Sequence, residues 1–214
     1  MMKAFLYKRF VRFSYIVIYL IARALATVLY RFQVKGSRNI PGDKNLLVVA
    51  RHISYLDPPL IGLALGVNNM VHFIARKGLL RNPAFALPVK LFSTTINRED
   101  FGKEDLRKII NALKNHETVC ILPEGTTKNG GGDPKTGAIK FAEKTGKKFL
   151  PVRLEANTFP PEFPNLFPKI IAYIGPAFGL EELEEELGPG YDISTDRYKE
   201  LSKVMMKKID QTGK

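Results

Sequence analysis

One cysteine, Cys120, is all the thiol chemistry the chain possesses, so an intramolecular disulfide and a thiolate-rich metal site are both excluded. Its neighbours Val119, Ile121 and Leu122 read as a buried strand, where a thiol behaves as a small hydrophobe and not as a nucleophile. A reducing compartment is the simpler setting. Acidic residues are missing from the first 42 positions, Asp43 being the first, while Lys3, Lys8, Arg9, Arg12, Arg23, Arg31, Lys35 and Arg38 all fall there. Glycine and proline are also missing before Gly36, so nothing interrupts a helix. No internal repeat is visible.

What is present is a chain of 214 residues, long enough for one domain with a real core. Its 45% hydrophobic and 25% charged residues are ordinary for a folded body and argue against disorder. The net charge of +12 is less ordinary and implies an anionic partner: nucleic acid, a phosphorylated metabolite or an acidic membrane.

Between Phe13 and Tyr30 only Ser14, Arg23 and Thr27 interrupt the apolar residues, and the pattern predicts a long helix. A cleaved signal peptide requires small residues after its apolar core, where Leu29, Tyr30, Arg31 and Phe32 stand instead. A spanning helix needs about 20 apolar residues and would carry Arg23 into hydrocarbon. At about 100° per position, Lys8, Arg9, Arg12, Arg23, Thr27 and Arg31 share one sector less than half a turn wide. That fits a helix lying in the headgroup plane with its arginines on anionic lipid, although Tyr15 to Ala22 is apolar nearly all round. Residues 1–35 are therefore expected to be a basic, membrane-anchoring helical segment, and residues 36–214 the folded body. The same placement of charge, in an apolar helix without a polar stripe bearing exposed aromatics, argues against nucleic acid.

From residue 45 onward short apolar runs alternate with helix-period segments, which predicts an α/β fold with a mostly parallel central sheet flanked by helices. Strands are expected over Leu46 to Ala50, Val71 to Ala75, Thr94 to Asn97, Thr118 to Leu122, Phe149 to Leu154 and Lys169 to Gly175. Helices are expected over Pro59 to Leu65, Lys103 to Asn115, Thr136 to Thr145 (capped by Gly146) and Ser194 to Ile209. The proline-rich stretch Phe159 to Pro168 reads as a loop. Sheets of this kind bind ligands at the carboxyl ends of their strands. His52, Arg76, Lys77, Arg98 and Glu124 all follow strands.

His52 and Asp57 lie on a strand-to-helix connection, with Pro58 and Pro59 in the first helical turn and Asp57 as the expected N-cap. On a regular helix side chains five apart diverge by about 140°, but a loop that folds back lets the carboxylate hold one imidazole nitrogen while the other takes a proton. His72, inside a strand, and His116, at a helix end, read as structural or solvent-facing.

The pair alone is a weak signal, and its weight comes from the blocks that follow: Lys77 to Phe85, Asn97 with Arg98, Leu122 to Thr126, and Leu150 to Arg153. In that order they resemble the glycerolipid acyltransferases, in particular the 1-acylglycerol-3-phosphate (lysophosphatidic acid) acyltransferase family, over about residues 45 to 155. The resemblance implies transfer of a fatty acyl group from a thioester, carried on coenzyme A or acyl carrier protein, to the 2-hydroxyl of lysophosphatidic acid. It implies work at the cytoplasmic face of the cell membrane, with no metal and no resident cofactor. His52 would act as base and Asp57 as its orienter. Arg98, with Asn97 and Lys77, would hold the acceptor phosphate, while Glu124, Gly125 and Thr126 would shape the acceptor site. Arg153 would be either a phosphate ligand or the partner of Glu155. One departure bears on substrate choice: many family members have arginine directly after Glu-Gly-Thr, whereas here Thr127 and Lys128 follow. Acylation of glycerol 3-phosphate or another lysophospholipid, and a non-catalytic lipid-binding role, are the alternatives.

Overall fold

The segment Leu46–Ala50 has all five side chains buried, which requires a strand covered on both faces. Leu46, Val48 and Ala50 enter one core cluster, and Leu47 and Val49 enter another. The period-two alternation of a single strand thus divides its residues between two layers of helices. In the computed structural model, which describes residues 2–52, 54–124, 134–156, 168–188 and 195–214, this strand is β2.

Around it lie Gln33–Lys35 (β1), His72–Arg76 (β3), Ser93–Ile96 (β4), Thr118–Ile121 (β5), Lys148–Ala156 (β6) and Ile170–Ile174 (β7), in the order β1-β7-β6-β2-β5-β3-β4. Strands β6, β2, β5, β3 and β4 are mutually parallel, β7 runs antiparallel to β6, and β1 is parallel to β7. The sheet is the mostly parallel α/β sheet that the alternation of elements predicts. One face is covered by Met2–Tyr30 (α1) and Asp57–Leu65 (α2), the other by Lys103–Asn115 (α4), Gly137–Thr145 (α5), Leu180–Leu187 (α6) and Thr195–Gln211 (α7). Pro83–Phe92 (α3) packs by β3 and β4 at the edge.

The differences from expectation have local causes. Strand β1 is only three residues long, too short to show a period. Helix α3 contains Pro88, a residue that ordinarily signals an interruption. Helix α6 is only eight residues long and presents three leucines, Leu180, Leu183 and Leu187, to the core, too short a stretch to establish a period. Gly146 caps α5 as expected, with φ 66°, and its N–H reaches the Ala142 carbonyl at 2.8 Å. Of the expected loop Phe159 to Pro168, all but Pro168 lies outside the described residues, as does Ser194.

Helix α1 shows why its middle is apolar all round. One side is docked: Tyr15 and Ala26 are buried, the Tyr15 ring packs edge-on against Phe92 at 5.4 Å, and Ala26 joins the core cluster that contains α2. The opposite side exposes Phe10, Phe13, Val17, Leu20, Ile21 and Val28, the last 78% exposed. At its end Arg31 takes φ 45°, turning the chain so that the Phe32 N–H meets the Ala26 carbonyl at 3.2 Å. Phe32, 3% exposed, is in the core, and the Arg23 guanidinium carbon lies 5.1 Å over its ring. Residues before position 36 are thereby built into the body through Ala26, Phe32 and β1. Phe32→Ala should therefore cost about 3 kcal/mol of unfolding free energy, read by chemical denaturation; an unchanged midpoint would show that this segment does not support the core.

Candidate active site

The connection from β2 to α2 is folded around a buried carboxylate. Asp57, 1% exposed, accepts the Ser54 N–H at 2.8 Å through Oδ2, and the same oxygen lies 3.0 Å from His52 Nδ1. Asp57 is thus the first residue of α2 and not its N-cap; Leu56 holds that position. The side chain is turned back toward the loop it was expected to close. With a carboxylate on Nδ1, the proton resides on that nitrogen and Nε2 is the atom left to exchange one. The His52 side chain keeps 14% of its surface open to solvent, so the ring is shielded yet reachable.

A second buried acid holds the loop from the neighbouring strand. Glu124, just beyond β5 and 2% exposed, accepts the His52 main-chain N–H at 2.9 Å and Arg51 Nη1 at 2.6 Å. Both of its oxygens are engaged inside the protein. Gly125 and Thr126, the rest of that block, lie outside the described residues, as do Thr127 and Lys128.

At the ends of β3 and β4 the site turns basic. Arg76 pairs in register with Ile96, which brings it beside the loop carrying Asn97 and Arg98. Withdrawal from water and the adjacent positive charge of Arg76 both push the Arg98 pKa below the usual arginine range. Arg76 Nη2 also donates to the Tyr55 hydroxyl at 3.1 Å, which joins the histidine loop to this basic pair. The Arg98 loop has its own buried anchor: Asp105 accepts the N–H of Asn97 at 3.2 Å and that of Gly102 at 3.4 Å. Asn97 Oδ1 accepts the Glu99 N–H at 3.3 Å, so its side-chain carbonyl serves the turn. Lys77 is exposed at the start of a short 3-10 turn after β3. The structure thus gathers His52, Asp57 and Glu124 on one side and Arg76, Lys77 and Arg98 on the other, along one edge of the sheet.

Arg153 is placed differently. Its Nη1 meets Glu155 at 2.7 Å, its Nε donates to the Thr212 carbonyl at 2.6 Å, and its guanidinium stacks 4.8 Å over Tyr173. It ties the C-terminal turn to the sheet. A cavity of about 630 Å³ beside it, lined by Lys35, Tyr173, Phe178 and Lys208, contains neither His52 nor Asp57. Arg51, Tyr55, Arg76 and Asp105 join the site although no motif singled them out. Arg51 and Arg76 carried a usable signal, their positions at the carboxyl ends of strands.

The remaining histidines sit at the opposite edge of the sheet. His72 and His116 stack face to face, 3.7 Å between centroids and 6° from parallel, with His72 Nε2 2.9 Å from Thr94 Oγ1. Burial, and then the His116 charge, depress His72 from 6.5 to about 3. Cys120, 1% exposed on β5, has its thiol pKa raised by burial and is no nucleophile.

An imidazole held by a carboxylate thus shares one edge of the sheet with arginines two and three strands away, and the comparisons give the class of protein. The acyltransferase family profile matches residues 31–155, more than half of the chain, and the chain belongs to that family. It is 32% identical to a 1-acyl-sn-glycerol-3-phosphate acyltransferase of Borreliella burgdorferi, with 59% of this chain and 52% of that protein covered. It is 25% identical to the protein of the same name from Bacillus subtilis, with 56% and 60% covered. The matched part is thus between about half and three fifths of the length of these relatives. The crystal structure of the 1-acyl-sn-glycerophosphate (LPA) acyltransferase PlsC from Thermotoga maritima superposes with a TM-score of 0.69 over 95% of this chain and 81% of that one, at 24% identity, and shows the same fold.

The depressed His72 has a consequence for folding. The unfolded chain binds a proton at this ring below pH 6.5, whereas the native ring refuses it until about pH 3. Stability should therefore rise with pH across that window and be lost as pH falls through it, by at most about 1.4 kcal/mol per pH unit. In urea denaturation at several pH values, His72→Gln should flatten this slope; an identical slope would show that the ring titrates normally in the native state.

Proposed function

We propose that the chain transfers a fatty acyl group from an acyl thioester to the 2-hydroxyl of 1-acylglycerol 3-phosphate, giving phosphatidic acid. The observation that carries this reading is the His52 Nδ1 to Asp57 Oδ2 contact of 3.0 Å in a loop that leaves the ring partly open. The acceptor is supported by the two relatives, both 1-acyl-sn-glycerol-3-phosphate acyltransferases.

In this mechanism Nε2 of His52 takes the proton of the acceptor hydroxyl as that oxygen attacks the thioester carbonyl carbon. The tetrahedral intermediate collapses, the carbon–sulfur bond breaks, and the departing thiolate receives the proton from the imidazolium. Asp57 stabilises the charge that appears on the ring between the two steps. The thioester is already activated, so alignment and a base are the main demands on the protein. Direct transfer follows from the burial of Cys120, which leaves no reachable thiol for an acyl-cysteine intermediate. Arg76 lies close enough to disfavour the charge of Arg98, and a phosphate dianion between them would relieve that repulsion. Lys77 adds a third cation nearby, and the basic edge also suits the acidic carriers, coenzyme A or acyl carrier protein.

The proposed setting is the cytoplasmic face of the membrane. Within Arg9–Tyr30 an 18-residue window reaches a mean hydropathy of 1.8, so the helix is long and apolar enough to cross a membrane by length and composition. Its docked face, however, runs along the domain from Tyr15 to Ala26. The exposed apolar stripe, with Arg9 and Arg12 beside it, therefore suits contact with one anionic leaflet. Tyr55, Leu87 and Phe101 add exposed apolar surface near the basic edge.

An assay of labelled acyl-coenzyme A and acyl carrier protein thioesters against lysophosphatidic acid, glycerol 3-phosphate and other lysophospholipids tests the reading. Lysophosphatidic acid should be acylated fastest, and His52→Ala should abolish turnover in a folded protein. Near-normal turnover in that variant would remove the catalytic role, and preference for glycerol 3-phosphate would reassign the acceptor. For the membrane claim, Phe10→Ser with Phe13→Ser should weaken sedimentation with phosphatidylglycerol vesicles while leaving thermal unfolding unchanged. Equal sedimentation would reject the stripe as the contact.

A further inference from the structure

Behind the histidine loop a run of charges reaches the last turn of the C-terminal helix. Arg51 Nε and Nη2 donate to Asp210 Oδ1 and Oδ2, both at 2.6 Å, a two-pronged contact that fixes the guanidinium plane. The third donor, Nη1, is thereby aimed at Glu124 Oε1, 2.6 Å away, and the other oxygen of Glu124 takes the His52 N–H at 2.9 Å. Asp210 itself follows Ile209 and sits four residues past Met206, both buried against the sheet, and Arg153 secures the next turn through the Thr212 carbonyl.

We propose that Arg51, anchored by Asp210 of α7, is a positioning residue for His52. It fixes the Glu124 carboxylate, and that carboxylate fixes the backbone from which the imidazole projects. The reason lies in solvation. The Glu124 side chain has no exposed surface, so a cation and fixed donors must face it in place of water. Arg51 is 37% exposed and on a long stem; released from Asp210 it gains the freedom to turn to water, and Glu124 then loses its cation. The His52 main chain is left with a weakened acceptor, and its ring loses its fixed aim although Asp57 is untouched. Consistent with a strong contact, the Arg51 hydrogen bonds hold the Asp210 carboxyl below the usual range.

A purely architectural ion pair would instead do no more than clamp α7, and the molecule supplies a comparison. Arg197, near the start of the same helix, pairs with Glu143 and Glu184 far along the chain from any site residue. Breaking that cluster should cost stability without reaching the base.

The test uses the full chain with nitrogen-15 histidine, following the His52 ring resonances, assigned by their loss in His52→Ala. In Asp210→Ala and Arg51→Gln the His52 ring signals should shift or broaden, while Arg197→Gln leaves them in place. Asp210→Asn keeps the side-chain volume should the alanine variant fold poorly, and Asp210→Glu should restore the signals. The activity arm rests on the acyl-transfer reading: kcat should fall about tenfold or more with the acceptor KM within about twofold, a loss confined to the transition state. Unchanged His52 signals in folded Asp210→Asn and Arg51→Gln would overturn the proposal. If the intact chain transfers no acyl group, the functional reading fails while the ring signals still decide the positioning role.

Discussion

Three carboxylates withdrawn from water hold the loops at the ends of β2 and β4. Asp57 gathers the Ser54 N–H and the His52 ring, Glu124 gathers the His52 N–H and Arg51, and Asp105 gathers the N–H groups of Asn97 and Gly102. A buried carboxylate is costly unless its donors are fixed, and a loop N–H is fixed only if the loop has one conformation. Charge and conformation therefore enforce each other. The side chains that project from these loops, the imidazole of His52 and the guanidinium of Arg98, inherit that rigidity.

The sheet supplies what the acids cannot, a common level for the loops. Parallel strands β2, β5, β3 and β4 bring their carboxyl ends to one edge, so residues distant in sequence meet there. Tyr55 shows how tightly the two halves are joined, since it leaves the histidine loop and ends on Arg76. The chain thus sets an imidazole and a group of cations along one edge with little freedom between them.

Much of this was legible in the residue string, for identifiable reasons. Buried strands such as Leu46–Ala50 and an amphipathic helix such as Lys103–Asn115 have strong periodicity, and their limits were read closely. The pairing of His52 with Asp57 was open to a loop that folds back, but its weight came from the resemblance carried by the later blocks, because two such residues five apart are a weak signal alone. What escaped was whatever depends on a partner far along the chain. Asp210 looks like any charge on a closing helix until α7 is laid against β2, and Arg51 looks like a flank of the histidine block until Glu124 arrives from β5. Helix α1 was read with one distinctive side, because periodicity cannot tell an apolar face docked on protein from one turned outward. The structure separates Tyr15 and Ala26 from Phe13 and Val28.

The solitary thiol of Cys120, sealed in β5 between β2 and β3, gives the molecule a built-in clock. No reagent in solution can modify it while the sheet is closed, and no other cysteine competes for the label. The pace of its alkylation thus measures how often the strands that support the histidine loop come apart. Lipid surfaces, bound thioesters or altered side chains can be ranked by how far each slows or hastens that single chemical event.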